Sequence, residues 1–91
     1  IRDKIYINKV CMRFEDIFNY LIKLHKERYK LYFSGDKEKI ETYSERIEFV
    51  GKNLLALGEL LISNKLTSKN NKIKLKEMMK ETKKLMTEVK P

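Results

Sequence analysis

Apolar residues recur at alternating spacings of three and four along three stretches of the chain. Such spacing places them on one face of an α-helix, which has 3.6 residues per turn. The first row consists of Ile7, Val10, Phe14, Ile17, Leu21, Leu24 and Leu31, with Arg28 as its one interruption. A parallel row at seven-residue spacing, formed by Cys11, Phe18, His25 and Tyr32, widens the apolar face. The pattern predicts a helix over about residues 3–33.

A second row continues the rhythm and predicts a helix over about residues 37–63. Its members are Ile40, Tyr43, Ile47, Val50, Leu54, Leu57 and Leu61. Between the two helices, Gly35 suits the left-handed position after a helix, and Asp36 can cap the next one. The residues in the middle of the two rows should be buried, namely Leu21, Leu24, Ile47, Val50, Leu54 and Leu57.

A third, shorter row predicts a helix over about residues 71–89, after a turn-rich segment over residues 64–71. It reads Leu75, Met78, Thr82, Leu85 and Val89. Short connections favour antiparallel neighbours, so the predicted fold is a single all-α domain, residues 1–91, with an up-down-up three-helix bundle. The alternative is a long helical hairpin with the shorter third helix loose or docked on another chain. Either form could dimerise through the long helices.

The composition agrees with this fold class. The 91 residues are 42 % hydrophobic and 37 % charged, with one proline and three glycines. This is too apolar for a disordered chain and too poor in turn formers for a β-sandwich. The longest stretch without a charged residue is six residues, whereas a membrane span needs about 20. Cys11 is the single cysteine, so we expect no internal disulfide and an intracellular location, cytoplasmic or nuclear.

Basic charge is concentrated in the last third of the chain. Residues 65–91 hold nine basic and three acidic side chains, and the whole chain carries a net charge of +8. Such an excess can attract phosphate groups, although lysine-rich faces are commonly only solvated. A sequence-nonspecific nucleic-acid interface, if present, would use Lys69, Lys72, Lys74, Lys76, Lys80, Lys83 and Lys84.

Aromatic residues and glycines suggest a different kind of partner. Seven of the nine aromatic residues lie on the first predicted helix, where they either wrap the bundle or form an interface. Gly51 and Gly58 share one face of the second helix, and each weakens it by about 1 kcal/mol relative to alanine. Close approach of another backbone, from helix 1 or a second subunit, would explain them, as would a tolerated kink. The predicted protein-binding residues are Tyr6, Tyr20, Tyr29, Phe33, Gly51, Leu55 and Gly58.

No residue pattern indicates catalysis, a metal or a cofactor. His25 is the only histidine and lies on the apolar face of the first helix, far from other metal-ligating residues on that face. The chain has no glycine-rich phosphate loop, and its adjacent carboxylates project to different sides of a helix. The sequence therefore predicts a non-enzymatic protein-interaction or assembly module that self-associates as a homodimer or joins a larger assembly. Nucleic-acid binding through the C-terminal lysines is the alternative.

Overall fold

The chain forms three α-helices in a computed structural model, which describes residues 2–87. These are α1 (Arg2–Ser34), α2 (Lys37–Ser63) and α3 (Lys69–Thr87). They pack into an elongated bundle of 51 × 18 × 16 Å, with α2 in contact with both other helices. The predicted all-α three-helix bundle is confirmed, and α3 is docked on the hairpin of α1 and α2.

Polar contacts between helices show the direction of each one. Near the start of both α1 and α3, Asn71 Nδ2 donates to Asn8 Oδ1 at 3.3 Å. Near their far ends, the Arg28 guanidinium donates to the Leu85 carbonyl at 3.2 Å. The same guanidinium reaches Ser44 Oγ at 3.4 Å, close to the start of α2. Thus α1 and α3 run parallel to each other and antiparallel to α2, as predicted.

The helix ends follow the predicted turn chemistry. Gly35 has a φ of 75°, and its N–H donates to the Leu31 carbonyl at 3.1 Å. Asp36 Oδ1 accepts from the Lys39 N–H at 3.1 Å and caps α2. The third helix starts at Lys69, two residues earlier than predicted, because Ser68 Oγ accepts from the Asn71 N–H at 3.1 Å and caps it. Residues 88 and 89, where the predicted third helix ends, lie outside the described residues.

The core is built from the predicted rows, with two errors on α2. Leu21, Leu24, Ile47 and Leu54 are buried as predicted, as are Cys11, Phe14, Leu75 and Leu85. The expectation that Val50 and Leu57 are buried is wrong, since both are only half-buried. On α1, Ile17 also lies outside the buried core and is 38 % exposed. All three residues stand at one edge of the contact between α1 and α2.

The two glycines of α2 explain this shift. Gly51 and Gly58 are buried and lie in the same inward row as Ile47, Leu54 and Leu61. An added Cβ would stand 2.5 Å from Met86 Sδ at Gly51 and 2.6 Å from Met79 Sδ at Gly58. The close neighbours are thus side chains, namely Met79 and Met86 of α3 and Phe14 of α1, rather than the backbone of helix 1 or of a second subunit. The glycines make room for α3 within the chain, and α2 turns Val50 and Leu57 toward its edge.

Arg28, which interrupts the first apolar row, is 3 % exposed and joins all three helices. Besides its contacts with Ser44 and with Leu85, its Nη2 lies 3.2 Å from His25 Nδ1. The Leu85 carbonyl lies in the last turns of α3, where a cation is favoured by the helix dipole. The position that interrupts the sequence pattern is therefore a buried polar link between the three helices, near one end of the bundle.

Candidate interaction surface

An apolar groove of about 340 Å³ runs between α1 and α2. Its walls come from one residue of α1 and from two successive turns of α2. The lining residues are Ile17, Phe49, Val50, Asn53, Leu54 and Leu57. Apart from Asn53, every lining residue is apolar, so water in the groove has few hydrogen-bonding partners. The groove is therefore suited to an apolar group.

The groove continues onto the outer face of α2, which is also apolar. Phe49 is 70 % exposed and Leu60 is 69 % exposed. Asn53 and Ala56 lie between them and are exposed as well. The four positions are spaced four, three and four residues apart, so they form one stripe opposite the buried row of α2. We call Phe49, Asn53, Ala56 and Leu60 the outer stripe.

The two edges of the outer stripe differ in chemistry. On the edge next to α1 stand Val50 and Leu57, which line the groove. On the opposite edge stand Lys52 and Glu59, both exposed. Lys52 Nζ is 3.0 Å from Glu48 Oε1 within the same helix, with both side chains mostly exposed. A partner helix laid on this stripe would therefore meet apolar groups on one side and alternating charges on the other.

Tyr20 is a predicted interface residue on α1, the helix that contributes Ile17 to the groove. It is 44 % exposed and close enough to Tyr43 for the two phenols to interact electrostatically. A side-chain hydrogen bond with Glu27, and then the negative charge of Glu27, raise the pKa of Tyr43. Tyr20 thus stands beside a polar cluster that includes Tyr43 and Glu27, outside the lining of the groove.

The other predicted protein-binding residues are separated from it. Tyr29 and Phe33, which are 42 % and 75 % exposed, make an edge-on ring contact with centroids 5.4 Å apart. Tyr29 also contacts the ring of His25 at 6.5 Å. Tyr6 is 66 % exposed near the start of α1, whereas Leu55 is half-buried against the core. The structure therefore divides the predicted set into a buried group around the glycines and several separate exposed aromatics.

The outer stripe is absent from the interface residues predicted from the sequence. The sequence does carry a signal for this stripe, because Phe49, Ala56 and Leu60 repeat at helical spacing on the face opposite the inner row. The inner row of isoleucine and leucine is the stronger signal and accounts for the helix by itself. A helix with apolar residues on two opposite faces has one face more than a single core can cover.

The structure places the predicted nucleic-acid-binding lysines on more than one side of α3. Helical spacing puts Lys69, Lys76, Lys80 and Lys83 on one exposed face of α3. Lys84 is exposed at the border of this face, and Lys72 is half-buried. Lys74 instead lines two small grooves beside α1, together with Glu15 and Met78. We call Lys69, Lys76, Lys80 and Lys83 the lysine face.

The remaining features offer little chemistry. Among residues 2–87, no group of three His, Cys, Asp or Glu side chains is placed to hold a metal ion. Burial raises the pKa of the Cys11 thiol, which makes it a weaker nucleophile than an exposed cysteine. Within the part of the chain that the structure describes, no helix is long and apolar enough to span a membrane.

Comparison with protein-family models, with curated proteins and with solved structures found no significant match.

Proposed function

We propose that the protein is a non-enzymatic helical interaction module, which docks a protein partner on the groove and the outer stripe of α2. The observation that carries the proposal is the exposure of Phe49 and Leu60 on the face of α2 opposite the core. Burying each of these side chains against a partner would contribute about 1.5–3 kcal/mol. Within residues 2–87, neither side chain belongs to the hydrophobic core or to the partly buried residues packed against it.

The shape of the surface also supports a protein partner. Large rigid apolar side chains beside a shallow pocket are typical of the centre of protein interfaces, with charged residues at the rim. Here Phe49 stands beside the groove, and the rim includes Lys52 and Glu59. A small apolar ligand would fit less well, because the groove is open along the surface and has few polar groups to orient it.

Photo-crosslinking tests this proposal before the partner is identified. In the test variant, a benzoyl-phenylalanine residue replaces Phe49. In the control variant it replaces Ile73, an exposed apolar residue of α3. We expect a discrete protein adduct from position 49, in the cells that make the protein, and none from position 73. Absence of any adduct from position 49 would refute the interaction module.

The lysine face supports a second candidate, nonspecific binding of nucleic acid. Four lysines in one exposed row can act as point charges toward phosphates, but they cannot read bases well. If they bind duplex DNA, the logarithm of affinity should fall with that of salt with a slope of about 3 to 4. Replacing Lys69, Lys76, Lys80 and Lys83 with Gln should then abolish the salt-dependent binding. Equal binding by the parent and this variant would exclude the lysine face.

A further inference from the structure

The outer stripe of α2 has the residue pattern of one half of an antiparallel helix pair. Phe49, Asn53, Ala56 and Leu60 occupy the alternating three- and four-residue positions that form the contact line between two packed helices. The flanking positions are apolar on one side, with Val50 and Leu57, and charged on the other. We propose that the partner is a second copy of this chain, with the two α2 helices packed antiparallel through this stripe.

The inference rests on the proposed interaction function and adds the identity of the partner. The orientation follows from the two edges. In a parallel pair each flanking residue meets the opposite flank of the other helix, so Lys52 would stand against Leu57 and Glu45 against Val50. In an antiparallel pair, each flank meets the equivalent flank of the other helix. The two apolar edges then face each other, and so do the two charged edges. Only the antiparallel arrangement avoids placing a charge against an apolar side chain.

One antiparallel register pairs the charges as well. When Phe49 of one copy lies against Leu60 of the other, Asn53 lies against Ala56. In this register the charged flank brings Lys52 beside Glu59 of the other copy, and two-fold symmetry makes the same ion pair twice. On the other flank, Val50 of one copy meets Leu57 of the other. The contact line and both flanks are thus complementary in a single register.

The same arrangement covers the apolar groove. Val50 and Leu57 line it together with Ile17 of α1, so apposition of the apolar flanks brings the two grooves face to face. The α1 and α2 helices of both copies would then form a four-helix arrangement, which is a common way for helical hairpins to bury apolar faces. The lysine face lies on α3 and is left outside this contact.

Reversal of the two paired charges tests the register. Lys52→Glu and Glu59→Lys each turn two attractive pairs into two repulsive ones, and each should weaken the dimer about tenfold in sedimentation equilibrium. An equal mixture of the two variants should regain the parental affinity, because the mixed dimer has both pairs attractive. The double variant should do the same. Lys80→Glu on α3 is the control for net charge and should dimerise like the parent.

Disulfide trapping tests the orientation independently. In a Cys11→Ala background, Arg46→Cys and Ser63→Cys place single thiols at exposed positions near opposite ends of the outer stripe. The antiparallel register predicts a disulfide between the two variants when they are mixed, and little within either one alone. Disulfides within each variant alone would show a parallel pair and overturn the inference.

These results separate the two proposals. The parent protein could stay monomeric at high micromolar concentration while position 49 still crosslinks to a different protein. This result would overturn the proposal that the partner is a second copy, but it would support the interaction module. A parent that dimerises with single charge variants as tight as itself overturns the register. Absence of both dimer and adduct overturns the interaction module as well.

Discussion

Arg28 shows what a residue can do that its sequence pattern does not reveal. It interrupts an apolar row, and the usual interpretation of such a position is an exposed side chain. The fold instead buries its guanidinium between His25, Ser44 and the Leu85 carbonyl. Two of these partners lie 16 and 57 residues away in the chain, so no local pattern could identify them.

Cys11 and the two glycines of α2 show how far periodicity alone predicts burial and contacts. Cys11 is buried in the core, although Phe18, His25 and Tyr32 of the same seven-residue row are only half-buried. The sequence marks Gly51 and Gly58 as unusual, but the prediction that another backbone lies close to them is wrong. Identifying Met79 and Met86 required knowing how α3 lies across α2, which depends on packing rather than on periodicity.

Replacement of Leu54 by alanine tests the register of α2. Leu54 is 1 % exposed in the core, so Leu54→Ala should lower the free energy of unfolding by about 2–5 kcal/mol. Leu60 provides a matched control on the same helix, because it is 69 % exposed and its truncation should cost a monomer less than about 0.5 kcal/mol. Urea denaturation at low protein concentration measures both. Equal effects of the two substitutions would show that the outward and inward faces are misassigned.

The buried thiol of Cys11 gives an expected pH dependence. Burial raises its pKa above the ordinary value of 9.0, so the folded state keeps its proton to a higher pH than the unfolded state does. The contribution of this group to stability is complete below pH 9.0 and is lost as pH rises above it. Chemical denaturation between pH 7 and 10.5 should show a smaller loss of stability for Cys11→Ala than for the parent. Identical pH profiles would contradict this.

At the scale of the helices, periodicity predicted the elements well and their contacts less well. The second helix has the predicted bounds, and the first differs by one residue at each end. These elements are fixed by local signals, which are the apolar rows, Gly35 and the Asp36 cap. The incomplete burial of Val50 and Leu57 could not be predicted, since it depends on two glycines occupying the inward row.

The hydrogen bond from Arg28 of α1 to the Leu85 carbonyl of α3 leads to a prediction about how these helices are held together. Arg28→Ala removes a charged donor from the Leu85 carbonyl and should destabilise the protein by about 1.5–3 kcal/mol. The loss should be greatest locally, with faster amide hydrogen exchange in the last turns of α3 than in the middle of α2. Lys30→Ala, at an exposed position of the same helix, is the control. Unchanged exchange in α3 would show that Arg28 does not hold this helix.

At the scale of the whole molecule, the fold class was predictable and the candidate interaction surface was not. Three apolar rows joined by short connections leave few arrangements other than a bundle. Which outward face is free to bind a partner depends on what the other helices leave uncovered. Tyr29 and Phe33 were interface candidates because they are aromatic, whereas Phe49 and Leu60 become candidates only when both are seen exposed beside a groove.

The solution mass of the purified chain, measured over a range of concentrations, tests the central claim most directly. The parent should pass from 11.0 kDa at low concentration to twice that mass at high micromolar concentration. Phe49→Glu should remain at 11.0 kDa throughout while keeping its helical circular dichroism, because Phe49 is 70 % exposed in the single chain. A parent that stays monomeric over the whole range, or a Phe49→Glu variant that dimerises equally well, would contradict pairing through the outer stripe of α2.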